Sequence, residues 1–269
     1  MKDSLKLSRF FSKGPAIVIA FDHGMMDGPI PGVADVKKIP EAILSDVDGL
    51  LMSNGMLKDI GTKLCGKRND PMAITRINWS TIYCFEWGYH SGDTVKISSI
   101  EDALRAGTDM VLISLSLQTG SQELDSRNIK LFTELCNEAH RLGVPVVGEY
   151  FPVDDEHMSP KAMHSEIKIG CRILYELGAD VIKTFYTNKF EEVVKSCPTP
   201  ILSLGGKRLP TDLDALKYAK QQVDSGSAGI VFGRNVIQSS KPIELQKALI
   251  DVLKKGVSPK DAARKYGLK

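Results

Sequence analysis

Eight short β-rich runs, each followed by a helical stretch, constrain this chain more than any other feature. They are AIVIAF at 16–21, GLLMS at 49–53, MAITRI at 72–77, DMVLISL at 109–115, VPVVGEY at 144–150, VIKTFY at 181–186, PILSLG at 200–205 and AGIVFG at 228–233. Their apolar character is mostly continuous rather than alternating, the pattern of strands covered on both faces. The punctuation repeats as well. Gly107, Gly143, Gly178 and Gly226 each follow a helical segment just before a strand, where left-handed backbone closes a helix without Cβ strain. Ser98 with Glu101 forms a capping-box pattern, and Ser159-Pro160 places a cap and a first-turn proline before the helix that follows.

Eight βα units fit either a closed (β/α)8 TIM barrel or a large doubly wound sheet. No GxGxxG follows the first run and the units are fairly evenly spaced, so the α/β class is expected to take its barrel form. At 269 residues the chain suits one barrel, and with no low-complexity linker to divide it, residues 1–269 are expected to form a single domain. Charge narrows the partners. With 35 Lys+Arg against 33 Asp+Glu, the field is too weak to suggest nucleic acid or membrane partners. Five scattered cysteines without a CxxC pair cannot form a complete disulfide framework. The N-terminal stretch is broken by charge too often for a signal sequence, so a cytoplasmic setting is expected.

Lys183 interrupts the sixth run. With period-two alternation, Val181, Lys183 and Phe185 share a face that in a barrel is the lumen. Desolvation there disfavours an ammonium, and a neutral amine can attack a ketone to give an imine that serves as an electron sink. The alternative is a lysine that reaches a wet rim or pairs with a lumen carboxylate such as Asp22 or Glu149.

Other strand ends add candidates. SLGG at 203–206 and FGRN at 232–235 deliver glycine where the last two strands leave the barrel, the usual place for a phosphate site in this architecture. Ser203, Gly205, Gly206, Gly233 and Arg234 are the candidate residues, with Lys207 or Arg208 in support; tight turns alone would also explain either glycine pair. At the first strand's end Asp22 and His23 could move protons near Lys183, or simply organise the Gly-Pro loop that follows. At the fifth, Glu149 and Tyr150 are rival acid/base groups. The five histidines show no metal-ligand spacing, so neither metal nor cofactor is expected. A long connection, residues 78–97, carries Trp79, Tyr83, Glu86, Trp87, Tyr89 and His90, and reads equally as a lid, a specificity element or a subunit contact.

With FDHG at 21–24, VIKT at 181–184, GG at 205–206 and GRN at 233–235 in this order, the chain resembles the archaeal-type class I fructose-bisphosphate aldolase family. The resemblance covers residues 16 to 240 and extends to the wider DeoC/FbaB/LacD-like group, which includes aminodideoxyheptulosonate synthase and the autoinducer-2-processing 3-hydroxy-5-phosphonooxypentane-2,4-dione thiolase. It implies a barrel with Lys183 as Schiff-base lysine, Asp22 assisting proton transfer, and Gly205, Gly206, Gly233 and Arg234 holding a substrate phosphate. It also implies a homo-oligomer acting on a small phosphorylated ketone or sugar.

One departure matters. The family's Tyr-Pro-Arg-Gly after the fifth strand is replaced here by Glu149-Tyr150-Phe151-Pro152. If the proline is the anchor, Phe151 takes the tyrosine position and Tyr150 turns to the other face, unless a bulge restores it. The expected function is a class I aldolase. The alternatives are acyl transfer on a phosphorylated diketone and a non-catalytic barrel that binds phosphosugars.

Overall fold

A computed structural model of the chain describes residues 4–84, 87–89, 91–153 and 156–269. All eight expected runs form strands of one closed parallel barrel: β1 (Ala16–Ala20), β2 (Gly49–Ser53), β3 (Met72–Arg76), β6 (Met110–Leu115), β7 (Val146–Tyr150), β8 (Val181–Thr184), β9 (Ile201–Leu204) and β10 (Gly229–Phe232). The order around the ring is β1-β10-β9-β8-β7-β6-β3-β2, and β1 closes it against β10 in the register Ala16↔Gly229. Strand β4 (Asn78–Ser80) and strand β5 (Thr94–Lys96) form a separate antiparallel pair outside the ring.

Alternation along the strands sorts the side chains as a barrel requires. Val18, Leu51, Ile74, Leu112, Val147, Val181, Leu202 and Val231 fill the lumen, and the short helix Leu5–Phe10 adds Leu7 and Phe10 to that cluster. Residues one step away face the surrounding helices, as Ile17, Ile19, Ile230 and Phe232 do on one side and Val111, Ile113 and Ile182 on the other.

A device not expected from the sequence recurs at the strand starts. A polar residue just before one strand binds the backbone N–H of the strand before it: Asp48 takes Ile17, Asp109 takes Ala73, Asp180 takes Val146 and Ser227 takes Ser203. Each satisfies a buried or half-buried amide at a strand start or just inside it, and each ties neighbouring strands in one register.

The four helix-closing glycines all have positive φ, from 68° to 105°. Ser159 caps its helix through the amide of Ala162, with Pro160 in the first turn. The other expected cap lies one residue later. Ser99, not Ser98, accepts from Asp102 N–H, while the Ser98 hydroxyl accepts from Asn54 Nδ2 instead. The connection 78–97 holds the β4–β5 pair and a short 3-10 turn, Thr81–Tyr83; its Glu86 and His90 lie outside the described residues. Among the described residues no helix is long and apolar enough to cross a membrane.

Candidate active site

The carboxyl ends of the barrel strands surround a cavity of about 580 Å³. Its floor is ionic. Alternation that puts Met72 and Ile74 in the lumen also puts Arg76 there, and the same rule places Glu149 after Val147 and Lys183 after Val181. Asp22 lies two residues beyond Ala20, where β1 ends, and so shares its side of the chain. All four charged groups are buried, with exposures between 1% and 7%.

Arg76 joins the two carboxylates. Its Nε donates to Asp22 Oδ2 at 2.6 Å, and Nη1 reaches Glu149 Oε2 at 2.8 Å and Ser114 Oγ at 2.5 Å. Lys183 Nζ is ion-paired with Glu149 Oε1. Glu149 Oε2 accepts two further hydroxyls, Tyr83 at 2.7 Å and Ser114 at 2.8 Å. Asn78 fixes Ser114 from behind, giving Nδ2–H to its carbonyl and accepting its N–H. Two cations and two anions thus neutralise one another in a place where a lone charge would be costly.

Those pairings set the protonation states. Burial alone would raise the Glu149 carboxyl, but the charges and hydrogen bonds of Arg76 and Lys183 hold it well below the usual carboxylate range. Asp22 is likewise held down against its burial, chiefly by Arg76 and then Lys183. Burial and the neighbouring Glu149 push the Tyr83 phenol well up, so it stands as a proton donor. Burial lowers the His23 imidazole to about 4 despite the pull of Asp22, which leaves it neutral at pH 7.

The cavity rim carries the glycine loops. Gly205, Gly206, Lys207, Gly233 and Arg234 all line it. Gly206 takes φ +66°, and a Cβ at Gly233 would stand 2.3 Å from His23 Cε1, so both positions favour glycine. Asn235 staples the two loops: its Nδ2 donates to Gly205 O at 2.9 Å and to Lys207 O at 3.3 Å, and its Oδ1 accepts from Leu209 N–H at 2.9 Å. Facing these loops is an apolar wall in which Phe151 contacts Tyr83 and Phe185 edge-on, at 4.9 and 4.8 Å between ring centroids.

Among the residues singled out from sequence, Asp22, His23, Glu149 and Lys183 are brought together with the loop residues around one cavity. Two are not. Tyr150 turns outward, its ring packed on Gly170 and its hydroxyl 3.2 Å from Glu166 Oε1, because β7 runs without a bulge and consecutive residues face opposite ways. Ser203 also points out of the lumen, between Leu202 and Leu204, and bonds Ser227 at 3.0 Å. Arg208 is held by Asp212 and the carbonyl of Asn235, while Lys207 pairs with Glu156 at the exposed rim. Lysine pairing with a lumen carboxylate, left open from sequence, is the resting arrangement here.

Arg76, Ser114 and Tyr83 were missed as site residues. The alternation that flagged Lys183 would have flagged Arg76, which ends the Met72-Ile74-Arg76 series. Tyr83 had only the aromatic density of its loop as a signal.

The match of a family model decides the lineage: residues 16–239 fit the DeoC/LacD family aldolase description. The chain belongs to the DeoC/LacD aldolase family. It is an enzyme of the aldolase type. Among relatives of this DeoC/LacD aldolase, an uncharacterised aldolase of Saccharolobus solfataricus is 29% identical over 93% of both chains. A 3-hydroxy-5-phosphonooxypentane-2,4-dione thiolase of Yersinia pestis is 30% identical over 98% of this chain and 85% of its own. A Schiff-base-forming fructose-1,6-bisphosphate aldolase shares the fold with a TM-score of 0.77 at 26% identity, over 92% of this chain and 98% of that one. An archaeal fructose 1,6-bisphosphate aldolase gives 0.78 at 24% identity, over 93% and 98%.

Proposed function

We propose that this aldolase acts through a Schiff base on Lys183 with a small phosphorylated ketone or ketose of the fructose 1,6-bisphosphate kind. The observation that carries the reading is the position of Lys183. Among the described residues it is the one lysine of the barrel lumen, held against Glu149 at the floor of the cavity that the two glycine loops rim.

The chemistry follows from that pairing. When the Lys183 proton passes to Glu149, the freed amine attacks the substrate ketone, and Glu149 returns the proton to the departing hydroxyl as water leaves. A protonated imine then faces the Glu149 carboxylate where the ammonium stood, so the site's charge balance is kept. Breaking the adjacent C–C bond sends its electrons into the imine. Asp22, fixed by Arg76, is placed to hold a substrate hydroxyl beside the reacting carbon. At the rim, Gly205, Gly206 and Gly233 let backbone approach phosphate oxygens, and Lys207 and Arg234 add positive charge. The likeness to a Schiff-base-forming aldolase supports the same assignment.

A second reading, acyl transfer from a phosphorylated diketone, is supported by the thiolase relatives, which match across 98% of this chain. It uses the same lysine and the same phosphate loops. We also propose a homo-oligomer in a reducing cytoplasm, in keeping with cysteines that are all free; recovery of a disulfide-bonded form from cells would count against that setting.

Borohydride trapping tests the central claim. With dihydroxyacetone phosphate, fructose 1,6-bisphosphate and a phosphorylated diketone as probes, a reduced adduct should appear on the peptide bearing Lys183. Lys183→Ala should lose adduct and turnover yet keep phosphate binding, and Arg234→Ala should weaken phosphorylated ligands selectively. Robust turnover by Lys183→Ala would sink the assignment, and the probe that traps best separates the two substrate readings.

A further inference from the structure

We propose that Tyr83, carried on the connection after β3, relays protons between the substrate and Glu149 at the Lys183 site. This rests on the Schiff-base reading above and adds to it the route the proton takes.

The argument starts from how Glu149 is surrounded. Its Oε1 is taken by Lys183, and its Oε2 by Arg76, Ser114 and Tyr83. Glu149 itself lines the cavity and serves the departing hydroxyl directly, but both of its oxygens are occupied, so a proton taken from the carbon beside the imine reaches it through a group that already touches it. Lys183 is itself the covalent nucleophile and becomes the imine. Arg76 is held as a guanidinium between two carboxylates and keeps its charge. Ser114 is buried behind Arg76 and Asn78 and does not line the cavity. Tyr83 does line it, with its hydroxyl on Glu149 and its ring against Phe151. Of the tyrosines near these residues in sequence, Tyr150 faces the outer helix layer and bonds Glu166, and Tyr186 bonds Ser225.

The step balances. Condensation of Lys183 with the ketone releases one water and leaves a protonated imine opposite the Glu149 carboxylate. A proton on the carbon next to the imine then moves to the Tyr83 oxygen while Tyr83 passes its own proton to Glu149 Oε2. The C–H electron pair forms a C=C bond and the C=N pair retires to nitrogen. Nitrogen and Glu149 are both neutral afterwards and Tyr83 is unchanged, so no phenolate forms beside a carboxylate. Loss of the cation at Lys183 is also what makes Glu149 basic enough to take the proton, because that cation is one of the two charges that held its carboxyl down. Reversing the same transfers protonates the enamine left by C–C cleavage.

The experiment compares wild type, Tyr83→Phe and Tyr150→Phe with dihydroxyacetone phosphate as probe in two assays: borohydride trapping at Lys183, and exchange of the hydrogens next to the carbonyl with deuterium oxide. Tyr83→Phe should trap as fully as wild type while its exchange falls at least about 100-fold, the usual scale of a general acid/base contribution. Tyr150→Phe should stay within about threefold in both. An adduct in all three proteins with exchange in Tyr83→Phe within about threefold of wild type overturns the relay alone, and so does loss of exchange in Tyr150→Phe. Loss of the adduct in Tyr83→Phe also overturns it, since the phenol would then serve imine formation. No adduct in wild type overturns the Schiff-base reading and the relay with it.

Discussion

The imidazole of His23 packs so closely on Gly233 that a methyl group there would collide with it, and its Nδ1 is buried with no hydrogen-bond partner among the described residues. Burial, with Lys183, Arg234 and Arg76 nearby, brings its pKa from 6.5 to about 4 against the opposing pull of Asp22. The folded value lies below the unfolded one, so between those limits the unfolded chain binds more protons and stability rises with pH. The contribution is complete above about 6.5 and is lost as pH falls toward 4, with a total of about 3 kcal/mol. Urea midpoints from pH 7.5 to 4.5 should show this decline, and His23→Gln should flatten it; an equal slope in both proteins would reject the assignment. At this scale the sequence was partly legible. Lys183, Asp22, Glu149 and His23 stood out because a charged or polar group at the end of an apolar strand is conspicuous. Tyr150 misled because face is decided by a one-residue register, and only the pairing of Glu149 with Lys183 across β7 and β8 fixes it.

Strand β10 closes the ring, and its first residue is the tightest point of the closure. A Cβ on Gly229 would lie 2.2 Å from the carbonyl oxygen and 2.6 Å from the nitrogen of Ala16, its partner on β1. Backbone cannot yield there as a side chain can, so Gly229→Ala should cost at least about 1–3 kcal/mol, the range for overpacking a close-packed site. A denaturation midpoint equal to wild type would show that the seam has slack. Elements were the most legible level. The eight apolar runs and four of the helix-closing glycines announced themselves through local pattern and φ requirement. The ties from Asp48, Asp109, Asp180 and Ser227 to the preceding strands were not visible, since each joins residues 24 to 36 positions apart.

Among the described residues, exposed large apolar side chains concentrate on one connection of the molecule. Trp87, Tyr89, Val95 and Ile97, all on the connection that carries Tyr83, are 66%, 45%, 50% and 47% exposed, a concentration typical of surfaces that meet a partner. Sedimentation should give a mass that is a multiple of 29.5 kDa, and Trp87→Glu with Val95→Glu should shift it toward the single chain; a wild-type monomer at tens of micromolar would reject the homo-oligomer. The sequence by itself determined the barrel, because strand and helix periodicities, turn glycines and covered strands are local properties that repeat eight times. It also determined which strand ends carry the lysine and the glycine loops. Only the tertiary structure decided how the site is wired: Asp22, Arg76, Tyr83, Glu149 and Lys183 come from three strands and two connections, and which carboxylate meets which cation depends on stagger around a closed ring. A chain read in order carries no signal for that, since each partner's burial is tolerable only once the others are in place.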